Sequence, residues 1–112
     1  MSKSERKILS DTAVSMIAGR FKVLSDATRL RLLHALFDGK LNVSQLVETT
    51  GISQANVSKH MAILLEAKMV GRSREGTHVY YFISDQSIFD LCELMCNKIQ
   101  KDFEECVAQF SK

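Results

Sequence analysis

Two amphipathic helical patterns meet at Thr50-Gly51-Ile52-Ser53, and a period-two pattern begins soon after the second of them ends. Gly51 sits where a C-terminal helix cap belongs and Ser53 where an N-cap belongs, so two helices joined by a tight turn are expected. The first covers about residues 43–50 with Leu46 and Val47 facing inward; the second covers about 53–68 with Val57, Met61, Leu64 and Leu65 as its buried stripe. From Val70 the spacing becomes that of strands. Val79, Tyr81 and Ile83 alternate with His78, Tyr80 and Phe82, and residues 72–74 can pair with them antiparallel across Glu75-Gly76-Thr77. A helix-turn-helix followed directly by a hairpin is compatible with few architectures.

At 112 residues the chain is the size of one domain, here read as 1–112, with the helix-turn-helix at 43–68, the hairpin wing at 70–84 and a last helix at 86–108. Two further helices precede these. The first, from Asp11 to Leu24, has Ala13, Val14, Ile17, Phe21 and Leu24 on one side and Ser10 or Asp11 as its cap; the second, over 27–38, has Leu30, Leu33, Leu36 and Phe37 apolar and stops at Gly39. The last helix carries Ile88, Leu91, Cys92, Met95, Ile99, Phe103, Cys106 and Phe110 along one side, a stripe longer than so small a core can cover. A second copy of the chain is the simplest cover. The expected fold is mainly α with a small β-hairpin, a winged helix-turn-helix of order α-α-α-α-β-β-α, dimerised through the first and last helices.

The net charge of +2 divides unevenly. Residues 1–84 hold 12 Lys and Arg against 7 Asp and Glu, giving +5, whereas residues 85–112 hold 3 against 6, giving −3. A polyanion attracts the first part, and the second stays clear of it. No apolar run approaches the roughly 20 residues that span a bilayer, and the polar start MSKSERK has no apolar stretch behind it, so a cytoplasmic protein without membrane contact is expected. Three late cysteines, Cys92, Cys96 and Cys106, are too few and too clustered for a secreted disulfide framework. No nucleophile, base and orienting group occur together, and there is no glycine-rich phosphate loop, so no enzyme is expected.

The free face of the second helix of the pair carries Gln54, Ala55, Asn56, Ser58 and Lys59. These side chains are small or hydrogen-bonding, which lets a helix enter a major groove roughly 12 Å wide and reach base edges. Gln and Asn can pair bidentately with adenine, while Lys59 and the hydroxyls can hold guanine or phosphate. Arg72, Arg74 and His78 on the hairpin fall where the adjacent backbone or minor groove would lie. Double-stranded DNA is therefore the expected partner, beside a second copy of the chain. A winged-helix module that binds protein rather than specific DNA is the alternative.

Three stretches carry a resemblance: Leu24-Ser-Asp-Ala-Thr-Arg-Leu-Arg-Leu-Leu, Ser53-Gln-Ala-Asn-Val-Ser-Lys-His-Met-Ala-Ile-Leu and Arg74-Glu-Gly-Thr-His-Val-Tyr-Tyr. In that order they resemble the ArsR/SmtB family of bacterial winged-helix repressors over about residues 12–100. The resemblance implies a homodimer that binds an imperfect operator palindrome and leaves it when an inducer arrives. It implies DNA contacts at Gln54, Ala55, Ser58 and Lys59 with Arg74 on the wing; Asn56 is added by helical geometry. His60 is expected to pack or to touch a helix end, and Arg29 to lie near the DNA side or to pair internally.

The metal sites of that family find no counterpart. Asn42 and Ser44 stand where a third-helix Cys-x-Cys belongs. Asp85 is followed by Ser87, and Lys98 and Lys101 fall where a last-helix histidine pair belongs, so no metal ligand set and no cofactor are expected. What remains is Cys92 and Cys96, one helical turn apart, as a candidate thiol sensor for a thiophilic ion or an oxidant, with burial in the core as the competing role for Cys92 and Cys106.

Overall fold

The computed structural model describes residues 8–110; the polar start over residues 1–7, residues 111–112 and the side chain of Phe110 lie outside the described residues. Five helices and three strands follow in the order α1 (Asp11–Leu24), α2 (Ala27–Ala35), β1 (Leu41–Asn42), α3 (Val43–Thr50), α4 (Gln54–Glu66), β2 (Val70–Glu75), β3 (His78–Ile83) and α5 (Gln86–Phe110). The strands form one antiparallel sheet in the order β1-β3-β2. The expected winged helix-turn-helix order holds apart from β1, whose two residues pair Leu41 with Tyr81 and Asn42 with Tyr80. Two residues are too short to show a period, which is why the pattern does not reveal this strand.

Each early helix starts on a side-chain cap. The Ser10 hydroxyl, the Asp26 carboxylate, the Asn42 amide and the Ser53 hydroxyl accept from the backbone N–H of Ala13, Arg29, Gln45 and Asn56 respectively. At α3 the Gln45 side chain also accepts from the Asn42 N–H, completing a capping box. Two helices end earlier than the apolar pattern implies. After Ala35 the chain tightens, with Phe37 N–H bonding the His34 carbonyl and Gly39 N–H bonding that of Leu36, so residues 36–38 are turns rather than helix. α4 stops at Glu66 because Lys68 is left-handed, at φ 61°. Lys68 N–H bonds the Leu65 carbonyl and Met69 N–H that of Leu64, a Schellman ending with lysine in the position glycine usually takes.

The core is a single cluster built from one face of each of several elements: Leu32, Leu33 and Leu36 from α2 and its end, Leu46 from α3, Ile52 from the turn, Val57, Met61 and Leu64 from α4, Met69 and Val70 from the start of β2, and Ile88 from α5. On α2 the inward residues are Leu32 and Leu33, both fully buried, while Leu30, expected inside, is 39% exposed. α1 contributes no buried residue, and α5 beyond Cys92 is exposed as far as its side chains are described. Val14, Ile17 and Phe21 of α1 and Leu91, Met95, Ile99 and Phe103 of α5 all lie on the surface.

Leu64 is fully buried in the core, so Leu64→Ala is expected to cost about 2–5 kcal/mol in urea denaturation, whereas Lys68→Gly, which removes a side chain from a left-handed residue, should raise stability by up to about 1 kcal/mol. Asp26 and Asp85 are held below the ordinary carboxyl value of 3.8, Asp26 chiefly by the Arg29 N–H and Asp85 chiefly by the Ser87 hydroxyl. A carboxyl whose folded value is lowered adds stability above its unfolded value and loses it as pH falls through the folded one. The melting temperature followed by circular dichroism should therefore drop as pH falls below 3.8, and drop less when Asp26→Asn and Asp85→Asn are combined.

Candidate nucleic-acid interface

The turn between α3 and α4 is assembled from four local devices. The Thr50 hydroxyl donates to the Leu46 carbonyl at 2.6 Å and accepts from the Ile52 N–H at 3.2 Å. Gly51 takes φ 74°, a conformation that costs any other residue strain. Ile52 inserts its side chain into the core, and Ser53 caps α4. Arg31 of α2 donates to the Thr50 carbonyl, so the end of α3 is held from outside as well.

With Val57, Met61 and Leu64 fully buried, the opposite side of α4 has to face solvent. Gln54, Ala55, Asn56, Ser58 and Lys59 are all exposed. At 3.6 residues per turn, Ala55, Ser58, Lys59 and Ala62 form the outermost stripe, and Gln54 and Asn56 flank it on opposite edges, about 160° apart around the axis. The stripe begins at the helix N-terminus, whose backbone carries a partial positive charge.

β2 and β3 pair from Val70↔Ile83 to Glu75↔His78, leaving Gly76 and Thr77 as a two-residue tip. Partners directly opposite share a face, so Arg72 with Tyr81 and Arg74 with Val79 lie on one face, and Glu75 with His78 on the other. The structure thus brings the two arginines together and separates His78 from them. The His78 ring instead approaches Tyr80, with centroids 6.2 Å apart. Gly71 allows the Phe82 ring to lie across its strand, since a Cβ there would meet the ring at 2.6 Å. The hairpin is fastened to the body by Lys40, which bonds the Glu75 carboxylate and sits 5.2 Å over the Tyr80 ring. Lys59, Arg72 and Arg74 have no ion-pair partner among the described residues, unlike Arg20, Lys40 and Lys98.

Arg29 is half-buried and joins no ion pair among the described residues. Its Nε donates to His60 Nδ1 at 3.2 Å and its guanidinium to the Val23 carbonyl at 3.3 Å, which ties α2 to α4 and to the end of α1. The pattern of the sequence also passes over Arg20, Arg31 and Lys40, because each acts through partners distant along the chain, such as Ala67 and Asp85 for Arg20, 47 and 65 residues away.

The three cysteines are free thiols in different surroundings. Cys92 is half-buried against the core, and that burial pushes its thiol pKa up; Cys96 and Cys106 are exposed. Cys106 is therefore not a core residue of this chain. Among the described residues no three His, Cys, Asp or Glu side chains are grouped to hold a metal ion. The donor set also fits a metal poorly. Asp85 is engaged by Ser87 and Arg20, and Lys98 donates to Asp102.

Residues 26–71 match the bacterial regulatory protein arsR family. Among curated relatives, the chain is 34% identical over 83 residues to the HTH-type transcriptional regulator KmtR of Mycobacterium tuberculosis, covering 74% of this chain and 64% of that protein. It is 33% identical over 90 residues to the arsenical resistance operon repressor of Bacillus subtilis, covering 78% of this chain and 86% of that protein. Among solved structures, the AntR antimony-specific transcriptional repressor is 29% identical, with a TM-score of 0.79 over 93% of this chain and 96% of that one. A homodimeric winged helix-turn-helix DNA-binding domain from Mycobacterium bovis is 25% identical, with a TM-score of 0.73 over 86% of this chain and 92% of that one. The helix-turn-helix, the wing and these likenesses agree: the chain belongs to the arsR family of bacterial regulatory proteins.

Proposed function

We propose that this protein is a transcriptional repressor that binds an operator palindrome as a homodimer and is released by an inducer, without catalytic activity. The observation that carries the reading is the exposed Ala55, Ser58, Lys59 and Ala62 stripe on a helix whose other face is locked in the core. The small residues admit the helix to the major groove, Gln54 and Asn56 supply amides for base edges, and Lys59, Arg72 and Arg74 supply cations for guanine or phosphate. His78 serves from the opposite face of the wing, toward the flanking backbone. Two relatives named as repressors support this reading.

The dimer is supported by the apolar surface of α1 and α5, which a monomer would leave in water, and by a homodimeric neighbour of the same fold. Such a dimer sets its two α4 helices about one helical turn of DNA apart. No helix among the described residues is long and apolar enough to cross a membrane, and a DNA-bound protein of this kind belongs in the cytoplasm. The inducer we assign by chemistry is a thiophilic ion or oxidant acting at Cys92 and Cys96, with Cys96 as the point of entry because it is the exposed thiol of the pair.

Selection from a randomised duplex pool should yield an imperfect palindrome. Lys59→Ala or Arg74→Ala should weaken binding to it about tenfold, and the slope of log affinity against log salt should become shallower by about 0.9 for each phosphate no longer neutralised. A protein that is dimeric yet shows no duplex affinity at low salt would instead be a protein-interaction module. Alkylation by iodoacetamide, mapped by mass spectrometry, should modify Cys92 more slowly than Cys96. Operator affinity should fall on titration with a thiophilic metal or peroxide in the wild type and hold steady in the Cys92→Ser, Cys96→Ser double variant; equal responses would remove the thiols from the mechanism.

A further inference from the structure

Arg20 belongs to α1, yet its guanidinium bonds two other elements. One nitrogen donates to the Ala67 carbonyl, the C-cap of α4, at 3.1 Å, and another bonds the Asp85 carboxylate just before α5. The second oxygen of Asp85 accepts from the Ser87 N–H at 3.0 Å and from the Ser87 hydroxyl at 2.6 Å, within the first turn of α5. The same junction is closed by Ser84, whose hydroxyl donates to the Lys68 carbonyl and whose N–H donates to that of Met69. One side chain thus joins both helices with surplus apolar faces to the end of the helix that presents the candidate DNA stripe.

We propose that Arg20 is a positioning residue for operator binding: held between the Ala67 carbonyl and Asp85, it sets the direction of α4 relative to α1 and α5, and with it the separation of the two recognition helices in the dimer. The inference rests on the dimeric DNA-binding reading above. A guanidinium is a planar fork of fixed donors, so bonding two acceptors at once fixes the angle between them. An ammonium on a flexible stem satisfies an acceptor without imposing that angle. Ala67 lies about 18 Å along the α4 axis from Ala55, so Arg20 acts from the end of the helix remote from its DNA-facing turn. Its charge is also paired with Asp85. Asp85 and Ser87 occupy the places where the family resemblance would put metal ligands, and here a cation of the chain itself is seated there.

The test uses the palindrome selected by the wild-type protein, the same duplex with one base pair added between its halves, and a single half-site. Arg20→Ala should lose about tenfold in affinity for the full palindrome, keep its half-site affinity, and discriminate less between the two spacings. Arg20→Lys should not restore spacing discrimination, and Asp85→Asn should shift the ratio of full-site to half-site affinity in the same direction as Arg20→Ala. Dimer mass and the urea midpoint are measured beside each. Equal losses on full site and half-site, or no loss on either, would overturn the proposal. If Arg20→Ala fails to fold, Asp85→Asn decides it, and an unchanged ratio there overturns it. A wild-type protein that selects no palindrome is a separate result, which removes the DNA-binding reading itself.

Discussion

Everything about the candidate interface depends on one helix being held by one face. Val57, Met61 and Leu64 are completely buried, and burying side chains of this size contributes roughly 1.5–3 kcal/mol each. α4 therefore has a fixed rotation about its axis, and the identity of its solvent face follows from residue spacing alone. The Schellman ending at Lys68 and the Ser53 cap fix its two limits. Arg29, Arg31 and the Thr50 hydroxyl then tie it, through His60 and the turn, to α2 and α3. A DNA-reading helix needs this kind of support, because hydrogen bonds to base edges discriminate only when the donors cannot rotate away.

The second constraint is a surplus rather than a contact. α1 has no fully buried residue, packing only Val23 and Leu24 partly against the core, and most of α5 projects past it with Met95, Ile99 and Phe103 at least 60% exposed. Isolated apolar residues on a surface are ordinary, but a continuous stripe along a 25-residue helix marks an interface. In the proposed dimer, two copies related by a two-fold axis would cover both stripes at once and give the two α4 helices a symmetric arrangement. Arg20 and the α4–α5 junction connect α1 and α5 to the end of α4, so on the proposed reading the two constraints act on each other.

Much of this is legible in the sequence because it is written in periods and caps. The α3 and α4 stripes, the left-handed Gly51 and the Ser53 cap are local features, and they lie where the pattern puts them. The losses have equally physical causes. β1 is too short to have a period, and it pairs only because β3 offers it an edge. Leu30 and Leu32 differ by two positions on α2, and local spacing cannot tell which of them meets α3 and α4. Lys68 in a left-handed conformation breaks the usual preference for glycine, so α4 ends two residues before the limit its apolar pattern suggests. The faces of the wing depend on register, which places His78 apart from Arg72 and Arg74. Lys40 and Arg20 work through partners far along the chain, and no window of sequence shows such pairs.

On the reading proposed above, the outer stripe of α4 enters the major groove twice, at a separation set by the dimer. A protein with Ala55→Cys and the three native cysteines changed to serine, carrying an iron chelate on the new thiol at that outermost position, would report where the helix lies on a bound duplex. The predicted result is two symmetric patches of strand cleavage, centred about 10 base pairs or a multiple of that apart, within a palindrome. Cleavage in one patch, or spread evenly along the duplex, would contradict it.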